Sequence, residues 1–170
     1  MARGSKGLIR SLVRRAVSSS KGPPVARKGP VFREPTICDR CGAVYTRRSW
    51  RQGRKLTGGL LARATWARCP GCLQAGRGEY FGRVIVRGPY VAANLEAIRR
   101  RIGNIARRAA FTQPERQLVA SEWDGEKLEV LTTSQKLAHR IAHELKKLFR
   151  GRVSYHWLAE ESVLVATWER

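Results

Sequence analysis

Two stretches of the chain repeat their apolar side chains at helical spacing. Leu95, Ile98, Ile102, Ile105 and Ala109 recur at steps of three and four, which predicts an amphipathic helix over 91–110. Leu137, Ile141, Leu145 and Leu148 repeat in the same way. They predict a second helix, capped by Thr133 or Ser134 and ended by Gly151. Around these helices the pattern changes to alternation rich in β-branched residues, the mark of strands. Phe81–Arg87 alternates until Gly88-Pro89 stops it. Arg116–Glu122 and Lys127–Thr132 flank Trp123-Asp124-Gly125-Glu126, an Asp-Gly hairpin signal. Arg152–Leu158 and Ser162–Trp168 flank the turn Ala159-Glu160-Glu161.

The resulting order over 79–170 is β-α-β-β-α-β-β, an α+β arrangement. Its first six elements have the split βαβ order of a ferredoxin-like sandwich, with two helices on one sheet face. The final strand is expected to extend that sheet.

Upstream the apolar pattern thins. Ala43–Trp50 and Ala62–Arg68 read as short strands joined by the basic, glycine-containing stretch Arg51–Gly59. Residues 36–73 hold too little aliphatic side chain for a core of their own. They hold instead all four cysteines of the chain, as Cys38-Asp39-Arg40-Cys41-Gly42 and Cys69-Pro70-Gly71-Cys72, separated by 27 residues. A Cys-x-x-Cys turn lets two thiolates reach one ion, and two such turns complete a tetrahedral site suited to Zn²⁺. Cys38, Cys41, Cys69 and Cys72 are therefore the expected ligands of one zinc ion, and 36–78 is expected to be a zinc ribbon. Structural zinc can supply roughly 10–16 kcal/mol to such a module. Four protein ligands leave no coordination position for water, so the ion is expected to be structural. A redox dithiol fits poorly, because that chemistry uses a single Cys-x-x-Cys at a βα junction. A zinc deaminase is disfavoured as well, for want of a His-x-Glu motif ahead of a Pro-Cys-x-x-Cys.

Charge points to the partner. The net charge is +21 and the sequence pI about 11.3. Residues 1–60 carry fifteen Lys and Arg against two acids, 61–110 carry ten against two, and 111–170 carry nine against nine. The whole excess lies in the first two-thirds, where a polyanion is expected to bind, and RNA or DNA leads. Arginine dominates there, and its planar fork suits phosphate and base faces. An anionic membrane surface is the competing partner, without a lipidation motif to support it.

Three groups of residues are candidates for nucleic-acid contact. Residues 1–35 form a basic tail in which Leu8, Ile9, Leu12, Val13, Ala16 and Val17 recur at helical spacing opposite Arg10, Arg14 and Arg15. An Arg- and Ser-rich, acid-poor transit peptide has similar composition. Gly22-Pro23-Pro24 and Gly29-Pro30 make the tail's end a linker. Arg47, Arg48, Trp50, Arg51, Arg54 and Lys55 interleave cations with an aromatic ring, which suits phosphate contact with base stacking. Trp50 has an equal claim to be a buried plug against the metal site. Arg100 with Arg107, and Arg101 with Arg108, form two rows on the first predicted helix. No stretch reaches the roughly 18–20 apolar residues of a membrane span, no secretory signal is read, and thiolate ligands fit a reduced cytoplasm.

No catalytic constellation emerges. His139 and His143 stand at i, i+4, but they oppose the apolar stripe, lie near Lys146 and Lys147, and lack a third ligand. His156 has no nucleophile motif beside it, and Glu160 and Glu161 need no more than a turn to explain them. No phosphate-binding Gly-x-x-x-x-Gly-Lys loop occurs, and Gly76-Arg77-Gly78 is too short to be one.

Three segments together carry a family resemblance: Glu34-Pro35-Thr36-Ile37-Cys38-Asp39-Arg40-Cys41-Gly42-Ala43-Val44-Tyr45, Cys69-Pro70-Gly71-Cys72, and Leu131-Thr132-Thr133-Ser134-Gln135-Lys136-Leu137-Ala138-His139-Arg140-Ile141. They resemble the N-terminal zinc-binding region of the nuclear export adaptor of the large ribosomal subunit, and more closely its bacterial relatives. The resemblance spans roughly 33–170 and is most specific at the cysteines. It implies binding to rRNA and the large subunit through zinc and basic surfaces, with the four cysteines as ligands. The adaptor's further Cys-x-x-Cys pairs and C-terminal domains are absent from this sequence, so nuclear export does not carry over. The expectation is a non-enzymatic, ribosome-associated RNA-binding protein acting in assembly, quality control or dormancy. A DNA-binding zinc-ribbon transcription factor and an RNA-processing enzyme are the rivals. The enzyme would need acidic metal ligands on the basic face, where the first 110 residues offer only Glu34, Asp39, Glu79 and Glu96.

Overall fold

The computed structural model describes residues 31–170. The helix proposed around Arg10, Arg14 and Arg15 lies outside the described residues.

The larger sheet has five strands: β5 (Gly82–Arg87), β6 (Leu118–Trp123), β7 (Lys127–Thr132), β8 (Arg152–Leu158) and β9 (Val163–Glu169). Alternation puts Val84, Val86, Leu128, Val130, Ala166 and Trp168 on one face, and all six are buried. Two helices cover that face. The first, α4 (Leu95–Thr112), contributes Ile98, Ile102, Ile105 and Ala109 to the core. The second, α5 (Gln135–Phe149), contributes Leu137, Ile141 and Leu145. Arg101 of α4 and Glu144 of α5 form a half-buried ion pair across the two helices. The helix expected over 91–110 is two pieces, a short α3 (Pro89–Ala93) and α4, separated at Asn94. Asn94 leaves helical geometry, and its Nδ2 donates to the Tyr90 carbonyl at 2.9 Å. The Asp-Gly hairpin forms as expected, Asp124 Oδ1 accepting from the amides of Glu126 and Lys127. Ser134 occupies the N-cap position of α5, but its side chain makes no capping hydrogen bond.

The order of this sheet corrects the ferredoxin-like expectation. A split βαβ sandwich places the strand after its second helix beside its first strand, antiparallel to it. Here the order is β6-β7-β5-β9-β8, and β9 runs parallel to β5 along its full length, Gly82 opposite Leu164 through Arg87 opposite Glu169. The last strand therefore inserts into the sheet, and β8 takes the edge. Composition explains the exchange. β9 brings Val163, Ala166 and Trp168, all buried, whereas most side chains of β8 are exposed. The central position goes to the strand with more apolar surface to hide.

The smaller sheet comprises β1 (Thr36–Cys38), β2 (Val44–Thr46), β3 (Ser49–Arg51) and β4 (Thr65–Ala67), in the order β3-β2-β1-β4. The single strand expected over Ala43–Trp50 is a hairpin that turns at Arg47-Arg48, both at positive φ, 52° and 56°. Nothing in an Arg-Arg pair announces such a turn, which ordinarily takes Asn or Gly. The strand expected over Ala62–Arg68 shrinks to β4, preceded by a helical turn, α1 (Gly58–Leu61), whose first amides Thr57 caps. A further helix, α2 (Pro70–Gly76), follows β4 and packs on β6.

Trp168 is fully buried, and its Nε1 donates to the Arg150 carbonyl at 2.7 Å. Replacing it by alanine should cost about 3–5 kcal/mol of unfolding free energy. Trp157→Ala, on the half-exposed edge strand, should cost about 1 kcal/mol or less. Urea titrations at unchanged m-value measure both.

Candidate metal centre

The first cysteine pair sits on a hairpin knuckle. β1 ends at Cys38, whose amide donates to the Ala43 carbonyl at 2.8 Å, while the Gly42 amide returns to the Cys38 carbonyl at 3.0 Å. Gly42 holds φ +70°, so the residue after Cys41 is glycine for a backbone reason. The second pair is built differently. Cys69 stands at the N-cap of α2, Pro70 begins that helix, and Cys72 falls in its first turn. A ribbon would carry both pairs on hairpins; here one knuckle faces one helix. Leu73-Gln74-Ala75 favours helix over strand, and Pro70 suits the first helical position, where its missing N–H costs nothing.

The fold brings all four Sγ atoms within 4.8 Å of one another. Cys41 Sγ and Cys69 Sγ lie 3.7 Å apart, close to the edge of about 3.8 Å that a tetrahedron with metal–sulfur bonds of about 2.3 Å would have. Cys38, Cys69 and Cys72 are buried and Cys41 is half-buried. The four cysteines are thus close enough to hold one metal ion. Burial opposes charge here and amide donors favour it. Burial pushes the Cys38 thiol up, but the backbone amides of Cys69, Cys41 and Arg40 outweigh it and bring the group down to about 7. The Cys69 amide lies 3.3 Å from Cys38 Sγ. Burial drives Cys69 far up and Cys72 up to about 11. Protons and the cation therefore compete for the same sulfurs, and binding must release protons.

Residues outside the module hold the centre. Gln117, just before β6, directs Nε2 at Cys72 Sγ, 3.3 Å away, and at the Pro114 carbonyl, 2.8 Å away. Gln74 Nε2 donates to the Thr133 carbonyl at 2.8 Å. Gly71 lies so close to the chain before β6 that a Cβ there would stand 2.5 Å from the Pro114 oxygen and 2.6 Å from Glu115 Cα. The cysteine site is thus held against the segment that leads into β6. Spacing rules identify the four sulfurs but carry no signal for Gln117, and they leave Gly71 as an ordinary turn residue.

The expected cationic residues divide by environment. Arg47 and Arg48 form the tip of the β2–β3 hairpin, exposed, and their amides donate to Glu34 Oε2 and Oε1 at 2.9 and 2.8 Å. Those two donors hold the Glu34 carboxyl below its usual range. Arg54 is exposed and its Nη1 donates to Thr46 Oγ1 at 3.0 Å; Arg51 and Lys55 are exposed too. Trp50 is the plug rather than a free stacking face. Its ring meets Phe32 at 5.0 Å and Tyr45 at 5.4 Å and packs on the cysteine cluster. On α4, Arg100, Arg107 and Arg108 are exposed, whereas Arg101 is taken by Glu144, and Arg107 Nη2 donates to Asn104. The second arginine row is therefore broken, because the neutralising acid sits on the other helix. His139 and His143 are exposed, and their near-parallel rings do not converge on a point.

Purified protein should hold one equivalent of a divalent metal by elemental analysis, and Cys72→Ser or a strong chelator should remove it with loss of folded structure over 31–78. Since raised thiols must shed protons to ligate, retention should fall as pH falls from 8 toward 5, read by a chromogenic chelator. Gly71→Ala should lower thermal stability while leaving all four sulfurs in place. Neither protein-family models, curated proteins nor solved structures yield a match to this chain.

Proposed function

We propose that the ion is Zn²⁺ and that the protein is a zinc-dependent RNA-binding protein of the ribosome, seated on rRNA of the large subunit. Four cysteine sulfurs within 4.8 Å of one another are the donor set zinc prefers. The site has four protein ligands, so the ion's part is to fix shape. What it would fix is the observation that carries the reading: an exposed hairpin tip, Arg47-Arg48, on a sheet packed against the four cysteines and Trp50. Two arginines at left-handed backbone angles are costly unless something outside the turn demands them. Glu34 supplies the demand by capping both amides, leaving both guanidinium groups to solvent. Arg51, Arg54 and Lys55 extend the same cationic surface. Guanidinium groups presented from a stiff turn meet phosphates with little ordering cost.

The large subunit as partner rests on the resemblance of the cysteine segments to the export-adaptor family. A reduced compartment, the cytoplasm, keeps the sulfurs available to metal. The basic surface favours binding over catalysis, since carboxylates that would hold catalytic cations are few there.

Sedimentation of cell lysate should place the protein with large subunits, whereas a chromatin fraction would favour the DNA-binding regulator. If about six phosphates are neutralised, affinity for rRNA should drop about 10³-fold between 50 and 200 mM salt. Arg47→Gln with Arg48→Gln should reduce the salt slope by about two. Glu34→Gln should weaken binding at neutral pH. In the unchanged protein the same loosening should appear only as pH falls below the ordinary carboxylate range, because Glu34 titrates low and its contribution is present above that range. Binding that ignores salt would overturn the polyanion reading.

A further inference from the structure

Residues 111–170 are neutral in sum, but the fold separates their charges. The acids go mainly to the approach to β6, the β6–β7 hairpin, the β8–β9 turn and the end of β9. Only Glu144 lies on α5, and it is paired with Arg101. Opposite the buried stripe Leu137, Ile141 and Leu145, the solvent face of α5 is left to Lys136, His139, Arg140, His143, Lys146 and Lys147, all exposed. No acid interrupts it.

Along one side of this cationic face runs the edge strand β8. Tyr155 stacks on His139, centroids 4.8 Å apart and planes within 19°. His143 continues the series at 6.4 Å and 7°. Two residues along β8, on the same side of the strand, comes Trp157. Tyr155 is 43% exposed and Trp157 50%. Large rings are ordinarily drawn into a core, as Trp168 is in the neighbouring strand. Here two rings stand beside a row of cations and stay about half exposed, with His139 covering one face of Tyr155.

We propose that the α5–β8 face is a second RNA contact that takes a short single-stranded run, phosphates on the α5 cations and unpaired bases on Tyr155 and Trp157. It is separate from the hairpin tip of the metal module, and it rests on the reading that the partner is RNA. The single strand follows from the chemistry of the rings. Bases in a duplex already stack on one another, whereas an exposed aromatic side chain accepts any unpaired base on its face. The combination of a cationic groove with stacking rings is sequence-tolerant, so this face would grip a strand without reading it.

The test uses the full-length, metal-loaded protein, a fluorescein-labelled oligouridylate and an RNA duplex of equal length, read by anisotropy. Tyr155→Ala with Trp157→Ala should weaken single-strand binding about tenfold or more and leave duplex binding unchanged. Lys146→Gln with Lys147→Gln retains the rings and guards against a folding artefact; it should lower the single-strand salt slope by about two. Trp fluorescence should be quenched by oligouridylate in the unchanged protein, with a smaller quench in Trp157→Ala. If the ring variants bind the single strand as tightly as the unchanged protein does, this proposal fails and the proposed function stands, leaving the β8 edge for a peptide strand. Equal loss of both RNAs in the ring variants also overturns it. If the unchanged protein binds neither RNA, both readings fall. If Arg47→Gln with Arg48→Gln weakens duplex binding alone while the ring variants weaken single-strand binding alone, the two contacts are independent, as proposed.

Discussion

Four sulfurs held within 4.8 Å, three of them buried, cannot all carry charge unless a cation joins them. That electrostatic constraint governs the small sheet. Its strands are three residues each, too short to hold together through ladder hydrogen bonds. Ile37, Ala43 and Val44 are buried, but they are few. A cation held by the four sulfurs would take over the work that aliphatic packing does in the large sheet, and it would do so beside the point where α2 packs on β6. Because Gln117 and the chain around Pro114 belong to the approach to β6, an ion held by the cysteines would act beyond its ligands. Without an ion, the packing of α2 on β6 should loosen as well as the knuckle.

The large sheet is stabilised in the ordinary way, and this is why it was the more legible half. Apolar period alone placed α4, α5, β5 and β7 within a few residues, because each turns apolar side chains into the core. What period could not give was the neighbour of each strand. Ser162–Trp168 read as an appended edge; its burial pattern, with Trp168 inside, is what an interior strand needs. The alternation was visible, yet it does not say which strand lies beside which, and the parallel pairing of β5 with β9 is a long-range choice.

At the centre the cysteine spacing was enough to name the four sulfurs. The form of the second pair was not, since the helix after Cys69 depends on the short segment up to Gly76 and on the space left by Gly71. Among the arginines, sequence treated charge as free wherever no acid stood nearby along the chain. Arg101 shows the error, as its partner Glu144 is brought to it by helix packing. Glu34 shows the converse. Counted in the sequence as one of only four acids among the first 110 residues, it accepts from the two amides of the Arg-Arg turn. The neutral balance of 111–170 concealed a segregated surface for the same reason, since summation along a chain discards direction in space.

The insertion of β9 beside β5 sets a schedule for folding. β5 is flanked by β7 on one side and by β9 on the other, and the second partner follows it by roughly eighty positions. Before β9 is added, β5, β6, β7 and both long helices are all present while one edge of β5 keeps its backbone N–H and C=O groups unpaired. Contacts of such separation slow folding. Until β9 pairs, that bare edge is open to any other extended chain.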